Sequence, residues 1–239
     1  MFYVNGIRII INFFDKFNQK KIINFLKNKL NYPILAFDVG AHHGETIELF
    51  REIFEIKEIH SFEASPKNFK ILKKNISNFE FDNHVFINNI GLGHDKKKTY
   101  MNQVMESSSS TINKINKNST YLKRKTKVLN LFSTSSFSKK IPIYLDRAEN
   151  YIEENKIDKI DLLKIDTEGY EYSVLKGLGK KISKIRYIYF EHHYDDMIIK
   201  NYTFSDIHEL LIKNNFQKVM KNKMFFRKSF EYIYLNTKN

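Results

Sequence analysis

The chain has 239 residues, a length that favours one large domain over two small ones. It contains no cysteine, which excludes disulfides, thiolate catalysis and cysteine-ligated zinc. Its formal net charge of +13 suits phosphate-bearing partners such as nucleic acid, anionic lipid or nucleotide-activated metabolites. The lysines are scattered rather than gathered in a stripe, so the charge alone does not select nucleic acid.

The N-terminal stretch MFYVNGIRIIINFFDKF is aromatic and amphipathic. Arg8, Asn12 and Asp15 interrupt its apolar run, which is far shorter than the roughly 20 residues of a membrane span. The stretch also lacks the small-residue cleavage site of a signal peptide. We therefore expect a soluble cytoplasmic protein, with a helical lead-in over residues 1–31 and a single domain over 32–239.

The first half of this domain alternates predicted strands and helices. Continuous apolar runs are typical of buried parallel strands, and apolar residues at helical spacing predict the helices between them. The predicted strands are 32–39, 57–65 and 84–93, and the predicted helices are 19–30, 44–55 and 66–76. This order indicates one βαβαβ half of a doubly wound sheet.

The second half begins with a polar stretch, 99–140, that lacks clear periodicity. We expect it to be an excursion on the substrate side, part strand and part loop. The elements predicted after it are a strand turning into a helix over 141–155, strands at 160–169 and 184–194, and helices at 170–182 and about 203–214. The last two apolar runs, NFQKVM and FEYIYLN, are expected to pair as an antiparallel hairpin at the sheet edge.

Polar residues gather where the predicted strands end. In open α/β sheets, ligands bind at the carboxyl ends of the strands. The residues at successive strand ends are Asp38, Gly40, Ala41, His42, His43 and Gly44, then Glu63, then Asn89 and Gly91, then Asp166 and Glu168, and finally Glu191, His192 and His193. This concentration indicates a binding or catalytic site.

The turn after the first strand discriminates between cofactors. A dinucleotide fold has the spacing G-x-G-x-x-G, because the pyrophosphate must approach the backbone. Here the spacing is Gly40-x-x-x-Gly44, which leaves less room for pyrophosphate, and Asp38 suits a positively charged ligand. Glu63 is placed to accept hydrogen bonds from ribose hydroxyls. An adenosine with a cationic, phosphate-free tail meets both requirements, and S-adenosylmethionine is such a molecule.

The chain resembles the FkbM family of S-adenosylmethionine-dependent methyltransferases in four segments: FDVGAHHGET, SFEASPKNFKILKKNI, YLDRAENYIEENKIDKIDLLKIDTEGYEYSVLKG and IYFEHH. The resemblance implies an α/β, Rossmann-like class I methyltransferase fold. Such a fold has a mostly parallel seven-stranded sheet, an antiparallel C-terminal strand and helices on both faces. The resemblance also implies O-methylation, most often of a sugar hydroxyl in a nucleotide-activated sugar, glycan or glycolipid, as in polysaccharide biosynthesis.

The resemblance further implies a cofactor site. Its residues, carried over onto this sequence, are Asp38, Gly40, Ala41, Gly44, Glu63, Ala64, Asn89 and Gly91. The first four would surround the methionine part of the cofactor, Glu63 would bind the ribose, and Asn89 to Gly91 would face the adenine. Ala64 departs from the family, which usually has proline after the acid of the second strand.

O-methylation requires a base that accepts the hydroxyl proton, or a metal that lowers the pKa of the hydroxyl. The predicted catalytic residues are Asp166, Glu168, His192 and His193. Asp166, Glu191 and His192 would suit Mg²⁺ or Mn²⁺. The alternative is direct base catalysis by His192 or His193, of which strand alternation turns only one toward the site.

Several of these residues have competing structural interpretations. Glu168 and Glu171 stand at the start of a predicted helix, where an acid stabilises the first turn. Lys164 would only pair with a surface acid. His42 and His43 lie in the glycine turn, where the family tolerates varied residues, and either could touch the substrate.

Two other functions stay open. The basic charge favours a nucleic-acid methyltransferase acting on RNA ribose, although the sequence lacks an Asn/Asp-Pro-Pro-aromatic stretch and a lysine at the end of the fifth strand. A non-catalytic nucleoside-binding protein of the same fold is the third possibility. A homodimer is compatible with all three functions.

Overall fold

The computed structural model describes residues 20–77, 84–104, 110–123, 138–224 and 228–239. The first 19 residues of the predicted N-terminal lead-in lie outside these ranges. So do residues 105–109 and 124–137 of the predicted excursion.

The main sheet has seven strands. The strands of the described ranges are β1 (Ile34–Val39), β2 (Ile56–Phe62), β3 (Val85–Asn88), β4 (Gly91–Leu92), β5 (Lys97–Val104), β6 (Lys114–Ile115), β7 (Ser138–Asp146), β8 (Ile160–Ile165), β9 (Ile185–His193), β10 (Ile198–Ile199), β11 (Phe216–Lys223) and β12 (Ser229–Asn236). The order in the main sheet is β11-β12-β9-β8-β1-β2-β3. The five strands from β9 to β3 are parallel, whereas β12 is antiparallel to both of its neighbours. The predicted seven-stranded sheet, antiparallel C-terminal strand and terminal hairpin are therefore confirmed.

Strand β1 lies inside this sheet, between β8 and β2, and all six of its residues are buried. Its side chains alternate between two apolar clusters, with Phe37 and Val39 in one and Ile34 and Ala36 in the other. A strand covered on both faces reads as a continuous apolar run, which is the pattern that predicted β1.

Helices cover both faces of the sheet. They are α1 (20–29), α2 (Glu45–Ile53), α3 (Pro66–Ile76), α4 (Ala148–Glu154), α5 (Glu171–Gly177) and α6 (Phe204–Lys213), and a 3₁₀ helix spans Gly179–Lys184. The first three helices pack on one face and the last three on the other. Helix α3 begins where it is predicted to begin, because Pro66 suits the first turn and the Ser65 hydroxyl accepts the Asn68 amide hydrogen.

A second sheet, in the order β4-β7-β5, stands beside the main one. The prediction of a single strand over 84–93 is wrong, because the chain leaves the main sheet after β3 and enters the second sheet at β4. The part of the excursion before its undescribed residues forms β5, which pairs antiparallel with β7. A two-stranded ribbon joins β6 to β10.

In the described part of the chain, no helix combines the length and the apolar character needed to cross a bilayer.

Candidate active site

The turn between β1 and α2 is held on two sides. The amides of Gly40 and Ala41 donate to the carbonyl oxygen of Phe62 at the end of β2, at 2.9 and 3.0 Å. Gly40 has a φ of 95°, and a Cβ there would lie far inside contact distance of the Asp166 carbonyl oxygen, just beyond β8. Only glycine fits a position with a positive φ and so close an approach of backbone.

The carboxylate of Glu63 is buried at the end of β2 and accepts two backbone hydrogens. The donors are the amides of His42, at 2.9 Å, and Ser65, at 2.8 Å. Burial raises the pKa of Glu63, although both amides lower it. Each carboxylate oxygen has two lone pairs, so Glu63 retains acceptor capacity for the hydroxyls of a ligand.

Asn89 and Gly91 have different roles beside Glu63. The Asn89 side chain donates to the carbonyl oxygen of Glu63 at 2.9 Å, so it fixes the segment that follows β2. Gly91 brings β4 close to this segment, because a Cβ there would lie 2.6 Å from Leu145 and 3.1 Å from the Ala64 side chain.

A cleft opens at the carboxyl ends of β1, β2, β4 and β8 and encloses about 550 Å³, including space open to solvent. Predicted site residues that line the cleft are Gly40, His42, Glu63, Ala64, Gly91, Asp166 and Glu168. Those that do not line it are Asp38, Ala41, His43, Gly44, Asn89, Glu191, His192 and His193.

Sequence reasoning missed the apolar wall of the cleft. Leu92, Met101, Ile112 and Tyr170 line it, and Met101 and Ile112 come from the excursion. The only sequence signal for them is the placement of the excursion on the substrate side, because the pairing of β5 with β7 that carries Met101 inward is a long-range contact.

Asp38 lies beneath the Gly40 turn and is fully buried. The Lys164 ammonium nitrogen is 3.7 Å from Asp38 Oδ1 and 3.3 Å from Asp166 Oδ2. Burial raises the pKa of Asp38 to about 6, although Lys164 lowers it. Burial alone would lower the pKa of Lys164, but Asp166 and Asp38 outweigh this effect and raise the pKa above its ordinary value. The lysine therefore stays charged. The expectation that Lys164 only pairs with a surface acid is wrong, because its strand is the neighbour of β1.

His193 is a buried cation among carboxylates. Its Nε2 is 3.4 Å from Glu168 and 3.5 Å from Glu191, and its Nδ1 is 3.6 Å from Asp195. Burial lowers the pKa of His193, but these acids raise it to about 10. The imidazolium is therefore the ground state near neutral pH, and His193 is poorly suited to act as the base.

His192 points to the opposite face of β9. Its ring contacts Tyr194, Tyr202 and Phe204, and burial lowers its pKa to about 3. The predicted metal ligands Asp166, Glu191 and His192 are thus not brought together, since alternation along β9 separates Glu191 from His192.

The His42 and His43 rings stack with their centroids 3.6 Å apart. His42 Nδ1 lies 2.9 Å from Glu45, whose side chain is 63% exposed. Within the described ranges, these three residues are the one group of histidine and acidic side chains whose possible ligand atoms all lie within 4.8 Å. We interpret the group as a hydrogen-bonded cluster at the first turn of α2, with half-buried histidines and an exposed Glu45.

The turn between β8 and α5 carries Glu168 at a φ of 50°. The Thr111 hydroxyl donates to the Glu168 carbonyl oxygen at 2.7 Å, and Asn113 donates to that of Gly169. Glu171 accepts the Gly169 amide hydrogen at 2.8 Å. Glu171 therefore has the local structural role expected of it, whereas the Glu168 carboxylate faces His193.

Comparisons with known proteins bear on the family and on the fold of the chain. The profile of the family described as methyltransferase FkbM domain matches residues 38–218. No curated protein matches the chain.

Several solved structures share the fold. An FkbM methyltransferase from Methylobacillus flagellatus KT has 14% identity and a TM-score of 0.55, over 84% of this chain and 44% of that one. TrmK from M. capricolum, in complex with S-adenosyl-homocysteine, has 12% identity and a TM-score of 0.52, over 90% of this chain and 67% of that one. Magnesium protoporphyrin IX methyltransferase from Synechocystis PCC 6803, with bound SAM, has 11% identity and a TM-score of 0.51, over 91% and 77%.

At these identities the solved structures bear on the fold alone, and the chain spans less than half of the M. flagellatus protein. The strand order and the single antiparallel strand β12 are those of the Rossmann-like class I methyltransferase fold. The family profile covers more than half of the chain and includes both Asp38 and Asp166. The protein therefore belongs to the FkbM methyltransferase domain family.

Proposed function

We propose that this protein transfers a methyl group from S-adenosylmethionine to a hydroxyl oxygen of a saccharide. The observation that carries the proposal is a single cleft with the Glu63 carboxylate on one side and the Asp166 and Glu168 carboxylates on another. Membership of the family supports methyl transfer. The structural relatives with bound S-adenosyl-homocysteine or SAM support the choice of cofactor.

The cleft residues fit this cofactor. Glu63 retains the acceptor capacity that ribose hydroxyls require. The Gly40 turn lets a ligand approach the backbone, and Leu92 and Met101 offer an apolar wall to the adenine. When bound, the cofactor supplies a methyl group on a positively charged sulfur.

Asp38 acts indirectly in this proposal. It is fully buried and does not line the cleft, so we assign it to the support of the Gly40 turn. This replaces the expected direct contact between Asp38 and the methionine part of the cofactor. Ala41 and Gly44 support the same turn through the core and the start of α2.

Asp166 is the proposed proton acceptor. Its side chain is 38% exposed and lines the cleft, so an acceptor hydroxyl can reach it. A hydroxyl is a poor nucleophile until its proton moves to a base as the new bond forms. The Lys164 ammonium nitrogen lies 3.3 Å from Asp166 Oδ2, so it holds this carboxylate in place.

Glu168 lines the cleft together with Asp166 and pairs with His193, and we assign Glu168 and His193 to binding of the acceptor molecule. We propose that the Glu168 carboxylate, oriented by the His193 imidazolium, accepts a hydrogen bond from a second hydroxyl of the acceptor. Saccharides carry neighbouring hydroxyls that can satisfy two such acids at once. No step in this proposal uses a metal, because the predicted ligands Asp166, Glu191 and His192 do not converge.

A saccharide acceptor is supported by the family resemblance, and the net charge of +13 suits one that carries phosphate or carboxylate groups. The test is a panel of nucleotide sugars, lipid-linked glycans and acidic polysaccharides, incubated with S-adenosylmethionine labelled on its methyl group. We expect one class to gain the mass of one methyl per acceptor with native protein, and none with D166N.

RNA ribose is the second candidate acceptor. The net charge of +13 favours it. Transfer RNA and ribosomal RNA belong in the same panel, followed by nuclease digestion and mass analysis of the nucleosides. A methylated ribose with no methylated saccharide would replace the leading proposal. Cofactor binding without transfer to any member of the panel would favour the non-catalytic alternative.

A further inference from the structure

Lys164 is a buried cation between two strands of the main sheet. It lies opposite Asp38 in the parallel pairing of β8 with β1. It also stands two residues before Asp166, so the two side chains lie on the same face. Its side chain is only 13% exposed, which is unusual for lysine unless it is paired.

The ammonium group contacts both acids at once. Its nitrogen is 3.3 Å from Asp166 Oδ2 and 3.7 Å from Asp38 Oδ1. The contact with Asp166 is a hydrogen bond, whereas the contact with Asp38 is a longer ion pair. Removing one partner of a buried charge pair leaves the other charge uncompensated and strongly destabilises it.

These two acids lie on either side of the Gly40 turn. Asp38 precedes Gly40 by two residues on β1, and the backbone of Asp166 is the surface against which Gly40 packs. The Asp166 side chain also lines the cleft. Any shift between the ends of β1 and β8 would therefore change the cofactor turn and the proposed base together.

We propose that Lys164 is a positioning residue of the site, whose ammonium group holds the Asp38 and Asp166 carboxylates and so fixes the cofactor turn against the proposed base. The inference rests on the proposed function, because it assigns Asp166 and the Gly40 turn to methyl transfer. Lys164 itself does not line the cleft, so it acts through its two partners.

The test measures S-adenosyl-homocysteine binding by calorimetry in two variants of Lys164. K164M keeps the length of the side chain but removes its charge, and we expect its affinity to fall at least about tenfold. K164R keeps the charge, and we expect it to stay within about threefold of the native protein. A purely steric role would predict the reverse order.

Lys159 provides the matched control. It stands just before β8 and pairs with buried Asp161 at 2.8 Å, but its side chain is 52% exposed. K159M should bind S-adenosyl-homocysteine as the native protein does. If K164M fails to fold, the double variant D38N/K164M removes the uncompensated Asp38 charge, and we expect it to fold and still bind at least about tenfold more weakly.

Three results would overturn the inference: near-native affinity in folded K164M, near-native affinity in D38N/K164M, or K164R no better than K164M. If the native protein itself does not bind S-adenosyl-homocysteine, the proposed function fails and this inference fails with it. If the native protein binds and K164M binds equally well, only the role of Lys164 fails.

Discussion

Glu63 and Glu168 are buried acids that face the same cleft, but different groups hold them. Glu63 accepts hydrogens from the backbone amides of His42 and Ser65. Glu168 instead lies 3.4 Å from the imidazole of His193, which comes from a different strand. One acid is held by groups that cannot titrate, and the other by a side chain that can.

This difference separates the two ends of the cleft. The end around Glu63 and Gly40 is held mainly by backbone amides, which donate to the carbonyl oxygen of Phe62 and to the Glu63 carboxylate. The end around Asp166 and Glu168 is held by two positively charged side chains: Lys164 pairs with Asp166, and His193 pairs with Glu168. We expect substitutions at the first end to affect cofactor binding, and substitution of His193 at the second end to affect transfer. Lys164 pairs with an acid at each end, so its substitution should also weaken cofactor binding.

Gly40→Ala should have the largest effect. The new Cβ would clash with the Asp166 backbone at a positive φ, and we expect S-adenosyl-homocysteine affinity to fall at least about 100-fold. Calorimetry measures the affinity, and thermal unfolding separates lost binding from lost fold. Gly179→Ala is the matched control, since Gly179 also has a positive φ but meets only the flexible Glu149 side chain. Native-like affinity in G40A would show that the Gly40 turn does not determine cofactor binding.

His193→Gln should separate the two ends. We expect methyl transfer to the acceptor found in the panel to fall about 100-fold or more, because Glu168 loses the cation that orients it. S-adenosyl-homocysteine affinity should stay within about threefold of native. The measurements are steady-state transfer and calorimetry on the same preparation. An equal loss of binding and transfer would contradict the division into two ends.

The same variant should change how stability depends on pH. The folded pKa of His193 is about 10, above its unfolded value of about 6.5. The stabilisation from its ionisation is therefore complete below about pH 6.5 and is lost as the pH rises toward 10. Urea unfolding between pH 6 and pH 10 should show a decline in native stability that is smaller in H193Q. Parallel declines would mean that His193 is not charged in the folded protein.

Removal of metal should have the smallest effect. Because Glu191 and His192 project from opposite faces of β9, we expect excess EDTA to change methyl transfer by less than about twofold. The assay is transfer before and after chelation, with Mg²⁺ or Mn²⁺ added back. If chelation abolishes methyl transfer and added Mg²⁺ restores it, a metal takes part at the end of the cleft around Asp166 and Glu168.

The sequence predicted the backbone end of the cleft better than the side-chain end. Gly40 and Glu63 directly follow apolar runs that predict strands β1 and β2. Local sequence patterns are therefore enough to locate both residues at strand ends. The sequence predicts only a surface acid as the partner of Lys164, because Asp38 is distant in sequence and becomes its neighbour only when β8 pairs with β1.

The turn that carries Glu168 illustrates the same limit. A positive φ at a non-glycine residue leaves no mark in the sequence, and the hydroxyl of Thr111 that supports this turn comes from the excursion. Local patterns do not indicate which excursion residue will reach it. The apolar wall from Met101 and Ile112 was missed for the same reason.

Binding of S-adenosyl-homocysteine to the native protein and to E63Q tests the central claim most directly. Calorimetry should give a dissociation constant on the order of micromolar for the native protein. For E63Q we expect affinity at least about tenfold weaker, because an amide offers fewer acceptors to the ribose than a carboxylate. Glu58→Gln, on the same strand but paired with His60, should bind like the native protein. No binding by the native protein, or equal binding by E63Q, would contradict the account.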